Sequence, residues 1–544
     1  MLFEYRYLGS TAVDSGPTTT AMSFAPDTQR RPTYFRGRLS KSVSFREAIS
    51  ALHDVVVSDL RFKPKDKTEY KQWAAQQELA ELGKYLSGKA EVVKRIGELR
   101  AELQGLMQES QRLLGPYRTA QRRYFDYLYK RDHDAWIVLD PVITVHPDEL
   151  FFECFSQDES TYGRLGCGYE VFEGIGDVAC GTTNVDYSAA LYDEFQKVRH
   201  YKTTELTVDP SGFEVETERD EAYKEVKIDL PESWVRGFLQ VSSAMTLPAK
   251  TVRLHPMDVH NICFVLRRRK ERVGPRSMRF ILKPGEPLRI FFEPWNLELY
   301  CPRSVCECDE ADEIRVWGRR RLHLLERLIP QTKSFRAFLL GTGLPSFFVA
   351  DLGDMSFTLG LSGWTANDWS RLGNFDLMAP RAEVDDFTKR SVFRTLGERW
   401  RETPDSLARE LGLDRALVLG ALGAYTQAGR AMFDLNKQVY RLRELSREPL
   451  PMEKLRFANP REDAATRLLA TKAVSVRAES AGGGGTRLSG EIQDAGHKYS
   501  PSLLIDGDER LRSGSCDCSF FIRNKLYRGP CEHMLAVRMR HAGR

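Results

Sequence analysis

The reading of this chain turns on the stretch SCDCSFFIRNKLYRGPCEHMLAVRMRH (515–541) near its C-terminus. Cys516 and Cys518 are separated by one residue, and Cys531 and His533 repeat that spacing after twelve intervening residues. Zinc favours four ligands in a tetrahedron and accepts thiolate sulfur beside imidazole nitrogen. Three thiolates and an imidazole fill that shell and leave no place for water, so the four residues predict one structural Zn2+ and not a catalytic one. Metal binding in so small a unit is coupled to its folding. Met534-Leu535-Ala536-Val537 has helix-like composition, and the free N–H groups at that helix start partly offset thiolate charge.

Working outward, Val474-Ser475-Val476, Gly490-Glu491-Ile492 and Ser502-Leu503-Leu504-Ile505 read as strands. The run Gly482 to Gly485 joins the first two as a hairpin tip; no Gly-Lys-Ser/Thr follows it, so it is not a phosphate loop. Residues 466–544 thus predict a small ββα-type zinc finger domain. From Leu511 to Arg544 there are seven Lys/Arg against two Asp/Glu. The surface around Arg523, Lys525, Arg528, Arg538 and Arg540 is therefore the expected face for a nucleic acid or protein partner.

The ligand pattern C-x-C, spacer, C-x-H, with strands before and a helix after, resembles the SWIM zinc finger. Cys516, Cys518, Cys531 and His533 occupy all four of its ligand positions. The resemblance implies a module that binds DNA or protein. SWIM fingers also occur in chromatin-remodelling-type ATPases and Mutator-like transposases, whose signatures this sequence lacks. The layout of the whole chain is similar to bacterial stand-alone SWIM proteins, some of which are associated with MoxR-type AAA+ ATPases and von Willebrand factor A-domain proteins. That implies an adaptor working with an AAA+ ATPase complex.

Upstream, residues 448–465 form a Pro-rich linker. Before it, Thr403-Pro404-Asp405 starts a helix carrying Leu407, Ala408 and Leu411, which Gly412 closes. A second helix runs from Asp414 to Gly429, and Ala431–Leu435 and Val439–Leu442 make a hairpin around Asn436-Lys437. With Phe387–Trp400 as a preceding helix, residues 386–447 resemble a winged helix. The second helix carries Arg415 as its one basic residue, a poor face for reading base edges. Lys437, Arg441 and Arg443 in the wing are the candidates for phosphate contact.

Residues 135–385 are rich in β-branched and aromatic residues, with strands expected at Leu206–Val208, Met278–Leu282, Leu288–Phe292, Glu298–Tyr300, Ile314–Trp317, Phe347–Ala350 and Met355–Leu359. A turn at Asp209–Gly212 and a further strand at Phe213–Val215 make the first of these half of a hairpin. A helix is expected over Arg319–Leu328, and no short repeat stands out. Residues 68–134 carry Leu79, Leu82, Leu86, Val93, Ile96, Leu99, Leu103, Leu106 and Leu113 at helical spacing, which predicts a helical hairpin or short coiled coil serving as a scaffold arm or a dimer interface. Residues 1–67 read as largely irregular. The fold class is multidomain α+β.

The chain has 544 residues, with 80 Lys and Arg against 76 Asp and Glu. A net charge of +4 is too small to imply a whole-molecule field toward nucleic acid or membrane. The N-terminus lacks a signal-peptide pattern, no window approaches a membrane span, and the cysteine count is no disulfide scaffold; a cytoplasmic protein is expected. Cys301, Cys306, Cys308 and His323 match no finger spacing and read as reduced thiols more readily than as a second metal site. The basic runs Arg267–Lys270 and Arg319–Arg321 read as solvated ends or phosphate contacts, and Gly363–Trp369 as a packed loop or an aromatic binding surface. No catalytic spacing appears. The expectation is a non-enzymatic zinc-binding adaptor, with a DNA-binding regulator or genome-maintenance factor as the alternative. An enzyme with its centre hidden in 136–385 is the third reading.

Overall fold

Alternating burial builds the first strands: along Phe35–Leu39 and Thr203–Val208 every second side chain is buried, as a sheet with one covered face requires. The computed structural model describes residues 33–58, 141–184, 195–201, 203–208, 232–270, 276–364, 368–370, 374–379, 384–445, 460–471, 474–481, 485–494 and 496–542. It adds the backbone of two N-terminal strands and a few isolated positions. The chain divides into two units, residues 59–138 and the remainder. The helical hairpin expected over 68–134 falls in the first and lies outside the described residues, apart from Leu99, Ala101, Leu103 and Gly105, which are helical.

In the larger unit β1 (Ala12–Ser15) and β2 (Thr19–Phe24) precede β3 (Phe35–Leu39), α1 (Ser42–Val57), β4 (Val142–Val145), β5 (Glu149–Phe155), β6 (Thr161–Gly168), β7 (Phe172–Glu173), β8 (Gly181–Asn184) and β9 (Thr203–Val208). After α2 (Glu232–Met245) come β10 (Lys250–Leu254), α3 (Pro256–Arg268), β11 (Ser277–Leu282), β12 (Pro287–Phe292), β13 (Leu297–Cys306) and β14 (Asp312–Trp317). A 3-10 helix, Arg319–Gln331, leads to β15 (Ser334–Leu339), β16 (Ser346–Asp351) and β17 (Met355–Leu361). The helix expected at Arg319–Leu328 takes this 3-10 form and runs past Pro330, a residue that cannot supply an α-helical N–H.

The two series repeat one topology. β3 pairs antiparallel with β9 and with β7, as β10 pairs with β15 and β13. β4 pairs with β5 and β8, as β11 pairs with β12 and β14. β5 pairs with β6, as β12 pairs with β13. No short repeat in the sequence announces this duplication. The two halves join where β17 pairs with β6 over Met355–Leu361 and Thr161–Cys167, which puts β4, β5, β6 and β8 of the first half in one twelve-stranded sheet with the second half, while β3, β7 and β9 form a five-stranded sheet with β1 and β2. Residues 59–138 enter the chain between the helix and the next strand of the first half; in the second half residues 269–276 make the same connection.

β5 is buried at every position. Phe152 and Cys154 face α1, where Phe152 packs edge-on to Phe45 and the Cys154 thiol lies 3.7 Å from the Leu52 carbonyl. Alternation sends Glu149, Phe151 and Glu153 to the other face.

That face meets the elements expected between 386 and 447, which form as α4 (Asp386–Arg399), β18 (Arg401–Glu402), α5 (Pro404–Leu411), α6 (Arg415–Gln427), β19 (Ala431–Asp434) and β20 (Val439–Leu442). Local chemistry sets the bounds. Thr403 caps α5 by accepting from Ser406 N (3.1 Å), with Pro404 in the first turn and left-handed Gly412 at its end. Asp414 caps α6 by accepting from Ala416 N (3.1 Å).

The C-terminal part contains α7 (Pro460–Ala470), β21 (Val474–Ala481), β22 (Gly485–Asp494), β23 (His497–Tyr499), β24 (Ser502–Ile505), β25 (Leu511–Ser515), α8 (Ser519–Asn524) and α9 (Glu532–His541). Two glycines let α9 seat on this sheet. A Cβ at Gly490 would collide with Val537 and with the Ser475 carbonyl; one at Gly514 would collide with Met534. Gly490→Val is therefore expected to lift the helix from the sheet, read as lost thermal stability together with weakened metal retention.

Candidate metal centre

Each ligand is set by a structural junction. Cys516 follows β25, Cys518 is the N-cap of α8 and Cys531 the N-cap of α9, with His533 in the first turn of that helix. The Cys518 sulfur accepts from Phe521 N at 3.3 Å. All four residues are buried, and the three sulfurs and one imidazole nitrogen lie within 4.8 Å of one another. Cys516 Sγ is 3.9 Å from His533 Nδ1. A hydrogen bond from the Cys531 thiol pulls the Cys516 thiol down to about 5, while the same contact pushes Cys531 up. A charge on Cys516 is thus already favoured before a cation arrives.

The other nitrogen of His533 completes the argument. Nε2 lies 3.3 Å from Asp494 Oδ2, and Tyr499 stacks on the imidazole with ring centroids 4.2 Å apart. Donation to a carboxylate leaves Nδ1 unprotonated and aimed at the sulfurs, the usual arrangement behind a zinc-bound histidine. Sequence reading found the four ligands and missed Asp494, which is brought in by β22 pairing with β23 at Asp494 and His497. Asp494→Asn is expected to weaken zinc affinity roughly 10- to 100-fold with the fold kept. Competition against a chromophoric chelator measures this, and an unchanged affinity would remove Asp494 from the site.

The donor set fits zinc: thiolate and imidazole ligands only, buried, with a carboxylate behind the histidine. When bound, the ion would supply cross-linking between β25, the start of α8 and the start of α9. The class defined is a closed, four-ligand structural metal finger. Residues 503–537 match the SWIM zinc finger family model, a segment that contains all four ligands. No curated protein matches this chain. Among solved structures, the proliferating cellular nuclear antigen of Entamoeba histolytica aligns over 41% of this chain and 89% of its own at 8% identity, with a TM-score of 0.28. At that score the likeness defines nothing about this chain.

The cations expected to face a partner divide into two groups. Arg523, Lys525 and Arg540 are exposed, and Arg528 is half-buried. Arg538 is buried instead: it donates to the carbonyls of Leu377 (2.9 Å), Ala379 (2.8 Å) and Glu509 (2.6 Å). Its role is to fasten α9 to the rest of the larger unit. Further fastenings are Arg415 on Asp508 (2.9 and 3.0 Å) and Tyr527 stacked on Trp364 at 5.1 Å, while within the C-terminal part Arg461 donates to the Pro530 carbonyl (2.7 Å).

The hairpin cations are a correction too. Arg441 and Arg443 are buried against the large sheet. Arg441 donates to both oxygens of Asp148 (2.7 and 3.1 Å) and to Asp434 (2.8 Å), and Arg443 to both oxygens of Glu153 (3.0 Å each). Tyr162 OH also donates to Glu153 (2.7 Å). Lys437 is exposed but engaged by Glu149 (2.9 Å) and Asp148 (3.3 Å). Arg164 pairs with Glu149 and, at 3.4 Å, with Asp434. Arg401 also donates to Asp148 (2.5 Å), so four carboxylates meet five cations, and the hairpin offers no free positive face from Arg441 or Arg443. This burial of charge was invisible in the sequence because Asp148, Glu149 and Glu153 lie so far upstream of the hairpin.

Cys306 and Cys308 are joined by a disulfide, not reduced thiols, and Cys301 is buried. Arg319 and Arg321 are buried, while Arg320 is half-buried. In the Gly363–Trp369 stretch Trp369 is fully buried against Phe347 and Phe375, whereas Trp364 is 36% exposed beside Tyr527. Among the described residues no helix is long and apolar enough to cross a membrane.

Proposed function

We propose that this protein is a non-enzymatic, zinc-dependent adaptor that recognises a protein partner through the outer surface of its SWIM finger. The observation that carries this reading is the surface of α8. There Ile522 is 59% exposed between Cys518 and the exposed cations Arg523 and Lys525, with Phe520 covered by the Arg461 guanidinium at 4.7 Å. An exposed apolar side chain followed closely in the chain by two exposed cations suits an acidic, partly apolar protein segment better than a phosphate backbone, which wants cations alone.

The burial of the preceding module supports the same choice. Its helices and hairpin resemble a winged helix, but in α6 Ala416 is the one exposed residue, and Arg415 is held by Asp405 and Asp508. A helix so enclosed has no face for a DNA groove. We read this module as internal packing, and the partner as a component of an AAA+ ATPase complex in the cytoplasm, following the resemblance of the chain's layout to bacterial stand-alone SWIM proteins.

The alternative, a DNA-binding regulator or genome-maintenance factor, rests on the excess of seven Lys/Arg over two Asp/Glu from Leu511 to Arg544. One experiment separates the two. Purification with partner identification is expected to return a complex that survives physiological salt and is lost in Ile522→Asp with zinc content unchanged. DNA binding whose logarithm falls steeply with log salt, unaffected by Ile522→Asp, would reverse the preference.

A further inference from the structure

We propose that Cys263, His323 and Glu326 form a second metal site, which binds one Zn2+ or a similar borderline divalent cation through three protein ligands and a water. One sulfur, one ring nitrogen and one carboxylate oxygen from these residues lie within 4.8 Å of one another, in the seam where α3 packs on the 3-10 helix Arg319–Gln331. A tetrahedral ion with sulfur, nitrogen and oxygen donors holds such atoms roughly 3.3–3.8 Å apart, so small side-chain rotations close the set.

Three details point to a ligand and not to a chance grouping. Arg267 Nη1 holds Glu326 Oε1 at 2.6 Å, which leaves Oε2 turned to His323 Nδ1 at 3.5 Å. The cation thus acts as the outer partner that orients a carboxylate ligand. His323 is half-buried, with Nδ1 facing the Glu326 carboxylate. The neutral ring is the form that binds metal. Cys263 is fully buried, its thiol 3.6 Å from the Leu322 carbonyl.

The charges balance. Binding displaces the Cys263 thiol proton to solvent as the sulfur–metal bond forms, and the thiolate and the Glu326 carboxylate together neutralise a divalent ion. His323 and Glu326 are half-buried and leave one coordination position open to solvent, unlike the closed shell of the finger.

The test uses the purified full chain, zinc quantification after equilibration, and Co2+ titration followed by the thiolate charge-transfer band. Two ions per chain are expected in the wild type, one in Cys263→Ala and one in Cys531→Ser. Glu326→Gln, at a partly exposed carboxylate, should keep the fold and weaken one of the two sites roughly tenfold or more. Should Cys263→Ala and Glu326→Gln bind the same number of ions with the same affinities as the wild type, the second site is overturned. Loss of all metal in Cys531→Ser would overturn it as well, while leaving the finger intact as a reading.

Discussion

Cys531→Ser, or exhaustive chelation, is expected to unfold the segment from β21 to α9. Structural zinc in small fingers contributes apparent binding free energies on the order of 10 kcal/mol or more at neutral pH. The sheet of β21 to β25 buries few large side chains on its own: along β21 most positions are exposed, with Val474 the buried one. Its α9 partner is held down by Met534, Leu535 and Val537 over two glycines, a small core for such a unit. Amide hydrogen exchange should show protection lost across β21–β25 and α9 while β5, β6 and β17 keep theirs. Retained protection in the metal-free chain would sink the structural role of the ion. Acid should act like a chelator, since the thiolates must be deprotonated to bind.

The second large effect is expected at Arg441. Replacing it with Ala leaves Asp148 and Asp434 without their shared cation, and breaking a buried pair from one side costs about 3–5 kcal/mol. Denaturant unfolding should report that loss, and Arg523→Ala, at an exposed cation, should stay within about 0.5 kcal/mol of the wild type. A loss below about 1 kcal/mol for Arg441→Ala would mean that the ion cluster is dispensable. The pH dependence has a definite direction. Burial alone would raise the carboxyls of Asp148, Glu149 and Asp434, but the cations Arg164 and Arg441, with His146 on Asp148, hold all three below their ordinary range. Their stabilisation is therefore complete above roughly pH 4 and is lost as pH falls toward the depressed values. In Arg441→Ala the carboxyls are less depressed, so this acid-dependent loss should be smaller and should be complete at a higher pH.

The four metal ligands were legible because their chemistry is local: a pair of thiols and a pair of thiol and imidazole, each at a helix start. The strands at Met278–Leu282, Leu288–Phe292 and Ile314–Trp317, and the helices starting at Thr403 and Asp414, were legible for the same reason, as capping and alternation are short-range signals. What escaped was set by distance. Asp494 reaches His533 across the finger sheet, Arg443 reaches Glu153 from a segment far along the chain, and Glu326 meets Cys263 through the packing of two elements. β15 was missed although Phe335, Ala337 and Leu339 alternate inward with Phe338 also buried, because Arg336 interrupts its six residues and Ser334 opens them, which reads as surface. Basic residues were the least legible of all. Nothing in composition separates Arg538, which closes three carbonyls, from Arg540, which faces solvent two positions on.

The duplicated topology gives the molecule an internal control. Its second half crosses from helix to next strand in residues 269–276, at the point where its first half spends residues 59–138. Excising 59–138 and grafting in the shorter connection asks whether the larger unit needs that excursion at all. Because the same backbone crossing already exists a few hundred residues downstream, the length of the graft is dictated by the protein itself.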